Sequence, residues 1–221
     1  MTDFARLRAA MVRDQLQARG IRDPAVLAAL HEVPRELFVP EHLQAQAYDD
    51  RALPIEAEQT ISQPFIVAVM LEAAHLGPRD HVLEVGAGSG YAAALIAHLA
   101  RSVVTIERHS ELVELARSRM RRLGIPNVRV VHGDGTHGYP EAALYDVILC
   151  AAANPVVPAA WFQQLAPSGR IIMPQGSHEG PQRLVRLTLL PDGRLREEEL
   201  EPVRFVPLVA GLSGAPYPAA R

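Results

Sequence analysis

The N-terminal third of the chain shows apolar side chains at helical spacing. In residues 4–19 they recur every three to five positions, which predicts an amphipathic helix. Asp23 before Pro24 is typical of a helix start, because the carboxylate caps the first turn and proline fits there. This second helix is predicted to reach about His31. Residues 34–61 carry several prolines and acidic side chains and are predicted to be irregular.

A third, more apolar helix is predicted to open at Ser62-Gln63-Pro64 and to end near His75. From residue 80 onward, short apolar runs alternate with helical patterns. This alternation is typical of parallel strands joined by helices that cover both faces of one sheet. The predicted strands span residues 81–85, 103–107, 127–132, 145–151 and 169–174. The predicted helices span residues 91–100, 109–123 and 157–165.

Two further apolar runs, residues 183–190 and 195–205, flank Pro191-Asp192-Gly193. Asp-Gly between two strand patterns indicates a hairpin, so the sheet is predicted to end in an antiparallel strand pair. The fold class is therefore α/β, with a doubly wound, mostly parallel sheet preceded by N-terminal helices. We expect one domain with four parts, which are N-terminal helices and a loop (1–79), a ligand-binding core (80–175), hairpin strands (176–211) and a tail (212–221).

Composition excludes several kinds of chemistry. All 22 residues counted as Lys or Arg are arginines, whereas P-loop proteins, Schiff-base enzymes and protein kinases each require a lysine. The net charge of −3 gives no reason to expect a nucleic-acid partner. The single cysteine, Cys150, cannot form an internal disulfide. No apolar run approaches the ~18 residues of a membrane span, and the N-terminal region shows no secretory signal. We expect a cytoplasmic monomer with no membrane partner, and no metal because the histidines are scattered.

The sharpest motif, Glu84-Val85-Gly86-Ala87-Gly88-Ser89-Gly90, follows the first strand of the alternating region. Glycines permit a tight turn and the close approach of a ligand, and the carboxyl end of a strand is where α/β folds bind nucleotides. The dinucleotide fingerprint would require a small residue at Tyr91, so that fingerprint does not fit. Glu107 ends the second strand, where a carboxylate can accept hydrogen bonds from ribose hydroxyls. Gly133-Asp134-Gly135 follows the third strand and, taken alone, is equally well an ordinary turn.

The acid-x-Gly-x-Gly-x-Gly spacing resembles motif I of the class I, Rossmann-like S-adenosylmethionine methyltransferases. The resemblance implies S-adenosylmethionine as the cofactor and S-adenosylhomocysteine as its product, with the acid at 134 near the adenine amino group. The cofactor-binding residues that it implies are Gln63, Pro64, Glu84, Gly86, Gly88, Gly90, Glu107, Arg108, Asp134 and Gly135.

Two further segments narrow the resemblance. Gln59-Thr60-Ile61-Ser62-Gln63-Pro64, together with Val206-Pro207-Leu208, is similar to the protein-L-isoaspartate O-methyltransferases, the protein repair methyltransferases, and the similarity covers roughly residues 5–210. It implies that the acceptor is the free carboxylate of an L-isoaspartyl or D-aspartyl residue in a damaged protein or peptide. Methylation would give an ester that collapses to a succinimide. The alternatives are a small-molecule O- or N-methyltransferase of the same fold, and a binding module without turnover.

This chemistry sets the expected site residues. A carboxylate acceptor has an ordinary pKa near ~3.9, so it is ionised at neutral pH and needs no general base. Alignment of the reacting atoms is then the main way to lower the activation barrier, by on the order of 7–11 kcal/mol. Ser62 is the expected catalytic residue, as a hydrogen-bond donor to the acceptor carboxylate or its loop; an N-cap of the third helix is the alternative. The expected substrate-contacting residues are Thr60, Ile61, Val206 and Leu208.

Overall fold

The computed structural model describes residues 2–177 and 179–213, so residues 214–221 of the predicted tail lie outside the described residues. The α-helices are α1 (Phe4–Ala10), α2 (Pro24–Glu32), α3 (Pro64–Ala74), α4 (Tyr91–Leu99), α5 (Ser110–Arg122) and α6 (Ala159–Phe162). The strands are β1 (Leu53–Pro54), β2 (Thr60–Ile61), β3 (His81–Val85), β4 (Ser102–Glu107), β5 (Val128–His132), β6 (Tyr145–Cys150), β7 (Leu165–Gly176), β8 (Gln182–Leu189) and β9 (Leu195–Val203).

Seven strands form one sheet in the order β5-β4-β3-β6-β7-β8-β9. The pairs from β5 to β7 are parallel, whereas β8 pairs antiparallel with both β7 and β9. The predicted α/β fold class and its antiparallel C-terminal strand pair are therefore confirmed. The first strand of the parallel part, β3, lies between β4 and β6. The chain builds β4 and β5 on one side of β3 and then crosses to build β6 and β7 on the other side. A ligand crevice is expected outside the carboxyl ends of the strands at such a switch point.

Both faces of the sheet are covered, which explains why its strands read as continuous apolar runs. Val82 and Val147 face one buried apolar cluster, while Leu83 and Ile148 face the other. Cys150 lies fully buried at the end of β6, and burial raises the pKa of its thiol to about 12. Its placement fits a small core residue.

The N-terminal helices follow their predicted pattern with one refinement. The helix expected over 4–19 begins as α1, continues as a π-helix (Met11–Leu16) and closes with a 3-10 turn (Gln17–Arg19). The Asp23 carboxylate accepts hydrogen bonds from the backbone N–H groups of the first turn of α2, as expected for an N-cap. No helix in the described part of the chain combines the length and apolar character needed to cross a bilayer.

The segment expected to be irregular contains regular structure. It has two 3-10 helices (Arg35–Phe38 and Glu41–Gln46) and a short hairpin of β1 and β2. The hairpin turn places Ala57 and Glu58 at positive φ, 56° and 57°, where glycine or asparagine is the usual sequence signal. Strands of two residues also carry too little periodicity to be recognised.

The prediction of a helix over 157–165 is mostly wrong, because only the four residues of α6 (Ala159–Phe162) are helical. Pro167 cannot continue a helix, and Leu165 already pairs with Tyr145 at the start of β7. At the other end of the sheet, β9 is an edge strand with acidic side chains. Three of them pair with arginines of β8: Glu197 and Glu199 with Arg183 at 3.5 and 3.1 Å, and Glu198 with Arg186 at 2.7 Å.

Candidate active site

A cavity of about 470 Å³ opens at the carboxyl ends of β3 and β4. This volume lies in the range of small-molecule sites. Its wall includes the loop between β2 and α3, the turns after β3 and β5, the end of β4, and the chain after β6 and after β9. The predicted site residues that line it are Thr60, Ser62, Gln63, Gly86, Gly88, Glu107, Arg108, Gly135, Val206 and Leu208. The predicted residues that lie off the wall are Ile61, Pro64, Glu84, Gly90 and Asp134.

The glycine turn after β3 depends on left-handed backbone. Gly86, Gly88 and Gly90 have φ of 91°, 50° and 87°, conformations that other residues adopt only with strain. The third glycine serves packing, because a Cβ on Gly90 would lie 3.2 Å from the Ala116 side chain on α5. The first two glycines therefore face the cavity, and Gly90 allows α4 to start beside α5.

The Glu107 carboxylate organises this wall. It is only 6% exposed and accepts backbone N–H groups from Gly88 at 2.9 Å, Arg108 at 2.8 Å and His109 at 3.0 Å. One side chain thus ties the glycine turn to the end of β4. A carboxylate offers about four acceptor sites, so after three hydrogen bonds capacity remains for a ligand hydroxyl.

The Glu84 side chain is buried inside the sheet, where Thr105 on β4 donates its hydroxyl to the carboxyl group. Burial raises the pKa of Glu84 to about 8; the Thr105 hydrogen bond lowers it and the nearby Glu107 charge raises it further. At neutral pH the group is therefore largely protonated. The Glu84 side chain is buried in the sheet and does not line the cavity, so a role for Glu84 in cofactor binding stays a prediction.

Asp134 holds the turn after β5 together. One carboxylate oxygen accepts the backbone N–H and hydroxyl of Thr136 at 2.9 and 2.7 Å, and the other accepts the N–H of Gly211 at 2.6 Å. Burial raises the pKa of Asp134, but these hydrogen bonds outweigh it and lower the pKa overall. The neighbouring Gly135, not Asp134, lines the cavity. A contact between Asp134 and a cofactor stays a prediction.

Ser62 lines the cavity from the short segment between β2 and α3. Its hydroxyl makes no hydrogen bond with the described residues, and its carbonyl accepts from the Arg35 guanidinium at 2.8 Å. The N-cap of α3 is Gln63, which makes no side-chain capping bond. The capping interpretation of Ser62 is therefore wrong, and its hydroxyl is available to a molecule in the cavity.

The segment after β9 closes the cavity from another side. Ala153 donates to the Val206 carbonyl and accepts from the Leu208 N–H, both at 2.8 Å, so this segment pairs with the chain after β6. Val206 and Leu208 line the cavity, and their contact with a substrate stays a prediction.

Arg119 on α5 joins two parts of the site. Its guanidinium donates to the Ser89 carbonyl in the glycine turn at 3.0 Å and lies 3.7 Å from the Glu56 carboxylate beside the β1–β2 turn. Burial lowers the pKa of Arg119 and Glu56 raises it, with a net decrease. Sequence reasoning missed both Arg35 and Arg119, because an arginine in a polar segment or on an amphipathic helix gives no signal that it is buried.

No group of three or more His, Cys, Asp or Glu side chains among residues 2–177 and 179–213 could hold a metal ion.

Comparison with known proteins identifies one family. The model of the protein-L-isoaspartate(D-aspartate) O-methyltransferases matches residues 7–213. A protein-L-isoaspartate O-methyltransferase of Rhodopseudomonas palustris strain HaA2 is 51% identical over 99% of this chain and 91% of its own length. One from Methanoregula boonei is 52% identical over 90% of this chain and 91% of its own.

Solved structures agree with these matches. A protein-L-isoaspartate O-methyltransferase structure superposes with a TM-score of 0.82 at 32% identity, covering 93% of this chain and 67% of that one. A Plasmodium falciparum structure described as a putative member, in complex with S-adenosyl-L-homocysteine, gives a TM-score of 0.79 at 26% identity. It covers 91% of this chain and 98% of that one.

Proposed function

This chain belongs to the protein-L-isoaspartate(D-aspartate) O-methyltransferase family, and we propose that it binds S-adenosylmethionine in this cavity. There it transfers the methyl group to the free carboxylate of an isoaspartyl residue. The acceptors are damaged proteins and peptides, with D-aspartyl residues as the second kind. One observation supports the proposal: the glycine turn, Glu107 and Ser62, whose hydroxyl makes no hydrogen bond with the described residues, line the same cavity.

The residues on the wall suit this cofactor. Gly86 and Gly88 let a ligand approach the backbone closely, and Glu107 keeps acceptor capacity for ribose hydroxyls. Gly135 and Gln63 also line the cavity, where they offer the cofactor a backbone group and a side-chain amide. When bound, S-adenosylmethionine supplies a methyl group activated by a positively charged sulfur.

The acceptor side holds a carboxylate that needs no deprotonation. Ser62 donates its hydroxyl to one carboxylate oxygen and so directs the other toward the methyl group. Thr60, Val206 and Leu208 contact the flanking peptide, while buried Ile61 and Pro64 support the loop from behind. Because an anion attacks a cation, charge is neutralised as the reaction proceeds. The main contributions of the protein are therefore orientation and the exclusion of water.

The test is the transfer of radiolabelled methyl groups to two peptides that differ only in containing isoaspartate or aspartate at one position. We expect methylation of the isoaspartyl peptide and little of the other. Equal labelling of both peptides would contradict the repair function, and labelling of small molecules alone would point to the alternative of a small-molecule methyltransferase. Binding of S-adenosylhomocysteine without turnover on any acceptor would indicate a binding module.

A further inference from the structure

Arg35 is a buried cation without an acidic partner in the described part of the chain. Its side chain is 0% exposed, and its hydrogen bonds go to backbone carbonyls, from Nε to Ala47 at 2.7 Å and from Nη2 to Ser62 at 2.8 Å. Burial lowers the pKa of Arg35, and the nearby Tyr91 and Tyr48 raise it. A guanidinium is unfavourable in such a place unless its contacts are well formed.

The third contact of this guanidinium is aromatic. Arg35 Cζ lies 4.9 Å from the centroid of the Tyr91 ring, within the range of a cation–π interaction. Tyr91 is the first residue of α4 and follows Gly90 directly, so it belongs to the end of the glycine turn. The ring is held in turn by Phe38, whose centroid lies 5.4 Å away in an edge-on arrangement.

One rigid group therefore touches both sides of the site. Through Ser62 it contacts the acceptor loop, and through Tyr91 it contacts the helix that begins at the cofactor turn. We propose that Arg35 is a positioning residue that sets the distance between the Ser62 loop and the glycine turn. This inference rests on the proposed function, because it assigns Arg35 a place in the alignment of acceptor oxygen and methyl group.

The geometry explains why alignment should depend on this residue. Ser62 lies between β2 and α3, its side chain makes no hydrogen bond with the described residues, and its carbonyl is fixed by the Arg35 guanidinium. A planar guanidinium fixes two carbonyls and a ring in one arrangement, which a lysine ammonium cannot do. Displacement of a reacting group by about 1 Å can lower turnover about a hundredfold.

Arg170 supplies a matched control at the other end of α3. Its guanidinium also donates to two backbone carbonyls, Ala74 and His75, and it pairs with Asp80 at 2.9 Å. Arg170 does not line the cavity. Arg35→Met and Arg170→Met therefore remove similar interactions from opposite ends of the same helix.

The experiment measures kcat and KM for an isoaspartyl peptide, the Kd of S-adenosylhomocysteine by calorimetry, and Tm, at a temperature well below every Tm. For Arg35→Met we expect kcat to fall at least about thirtyfold while the Kd stays within about threefold of the wild type. For Arg35→Lys we expect a smaller loss of kcat, about fivefold, because the charge remains and the planar contacts do not. Arg170→Met should lower Tm with kcat within about twofold of the wild type.

Two results would overturn the inference: a kcat for Arg35→Met within threefold of the wild type, or parallel losses of kcat, cofactor affinity and Tm in both methionine variants. If Arg35→Met does not fold, a wild-type kcat in Arg35→Lys would also overturn the inference. Wild-type protein that binds S-adenosylhomocysteine but ignores the isoaspartyl peptide would instead contradict the proposed function, before any variant is compared.

Discussion

The two walls of the cavity are built in different ways. On the cofactor wall, Glu107 collects the N–H groups of Gly88, Arg108 and His109, so the contacts join neighbouring segments of adjacent strands. On the acceptor wall, the Ser62 carbonyl accepts a hydrogen bond from Arg35, which lies on a 3-10 helix outside the sheet. Under the proposed function, cofactor binding relies on contacts between adjacent strands of the sheet, whereas acceptor alignment relies on a side chain from the N-terminal segment. Mutations on the two walls should therefore change different kinetic constants.

The largest effect is expected from Glu107→Ala. Three backbone N–H groups lose a charged acceptor, each worth about 1.5–3 kcal/mol, and the ribose partner is lost as well. We expect the Kd of S-adenosylhomocysteine to rise about a hundredfold or more by calorimetry. Glu111→Ala, at an exposed acid in the first turn of α5, is the control and should leave the Kd unchanged. A Kd for Glu107→Ala within threefold of the wild type would contradict the local account of cofactor binding.

Ser62→Ala should distinguish acceptor alignment from cofactor binding most clearly. We expect kcat on the isoaspartyl peptide to fall at least about tenfold, while the Kd of S-adenosylhomocysteine stays within about twofold. The free energy of unfolding should change by less than about 0.5 kcal/mol, because the hydroxyl makes no hydrogen bond with the described residues. Wild-type turnover in this variant would remove Ser62 from the catalytic role.

Arg119→Met tests whether the walls communicate through the β1–β2 turn. Loss of the bonds to Ser89 and Glu56 should raise KM for S-adenosylmethionine about threefold. The control is Arg117→Met on the same helix, because Arg117 donates to the Val130 carbonyl and not to the glycine turn. Identical KM values for the two variants would show that this bridge has no kinetic role.

Glu84→Gln should have the smallest effect on activity and a visible one on stability. The pKa of Glu84 is raised from 4.5 to about 8, so between these values the folded state binds more protons than the unfolded state. Stability is therefore lost as pH rises, with a slope of up to about 1.4 kcal/mol per pH unit from this group.

Urea unfolding of wild type and Glu84→Gln at pH 6 and pH 8.5 measures this difference. The variant should lose less stability between the two pH values, and its Kd for S-adenosylhomocysteine should match the wild type. Equal losses would show that the Glu84 carboxyl is not held protonated. Tenfold weaker binding of S-adenosylhomocysteine by the variant would indicate that Glu84 contributes to cofactor binding, as the resemblance implies.

The same contrast between local and long-range structure decides what the sequence could predict. From residue 80 on, most strand and helix bounds were predicted within one or two residues, because period and turn chemistry are local signals. The family was also identified from short motifs and is confirmed by the comparisons. Burial of Arg35, the hydrogen bond from Gly211 to Asp134 and the turn at Ala57 depend on tertiary contacts, for which the sequence carries no periodic signal. The roles of the individual site residues stay predictions.

The charged edge strand β9 has a consequence for an enzyme that handles damaged polypeptides. Partly unfolded chains expose strand segments that seek a free sheet edge, and an open edge is a template for their aggregation. Glu197, Glu199 and Glu201 place negative charge along β9, and the first two pair with Arg183 on β8. A polypeptide that added to this edge would have to desolvate those charges. This edge of the sheet is therefore a poor template for the assembly of misfolded chains.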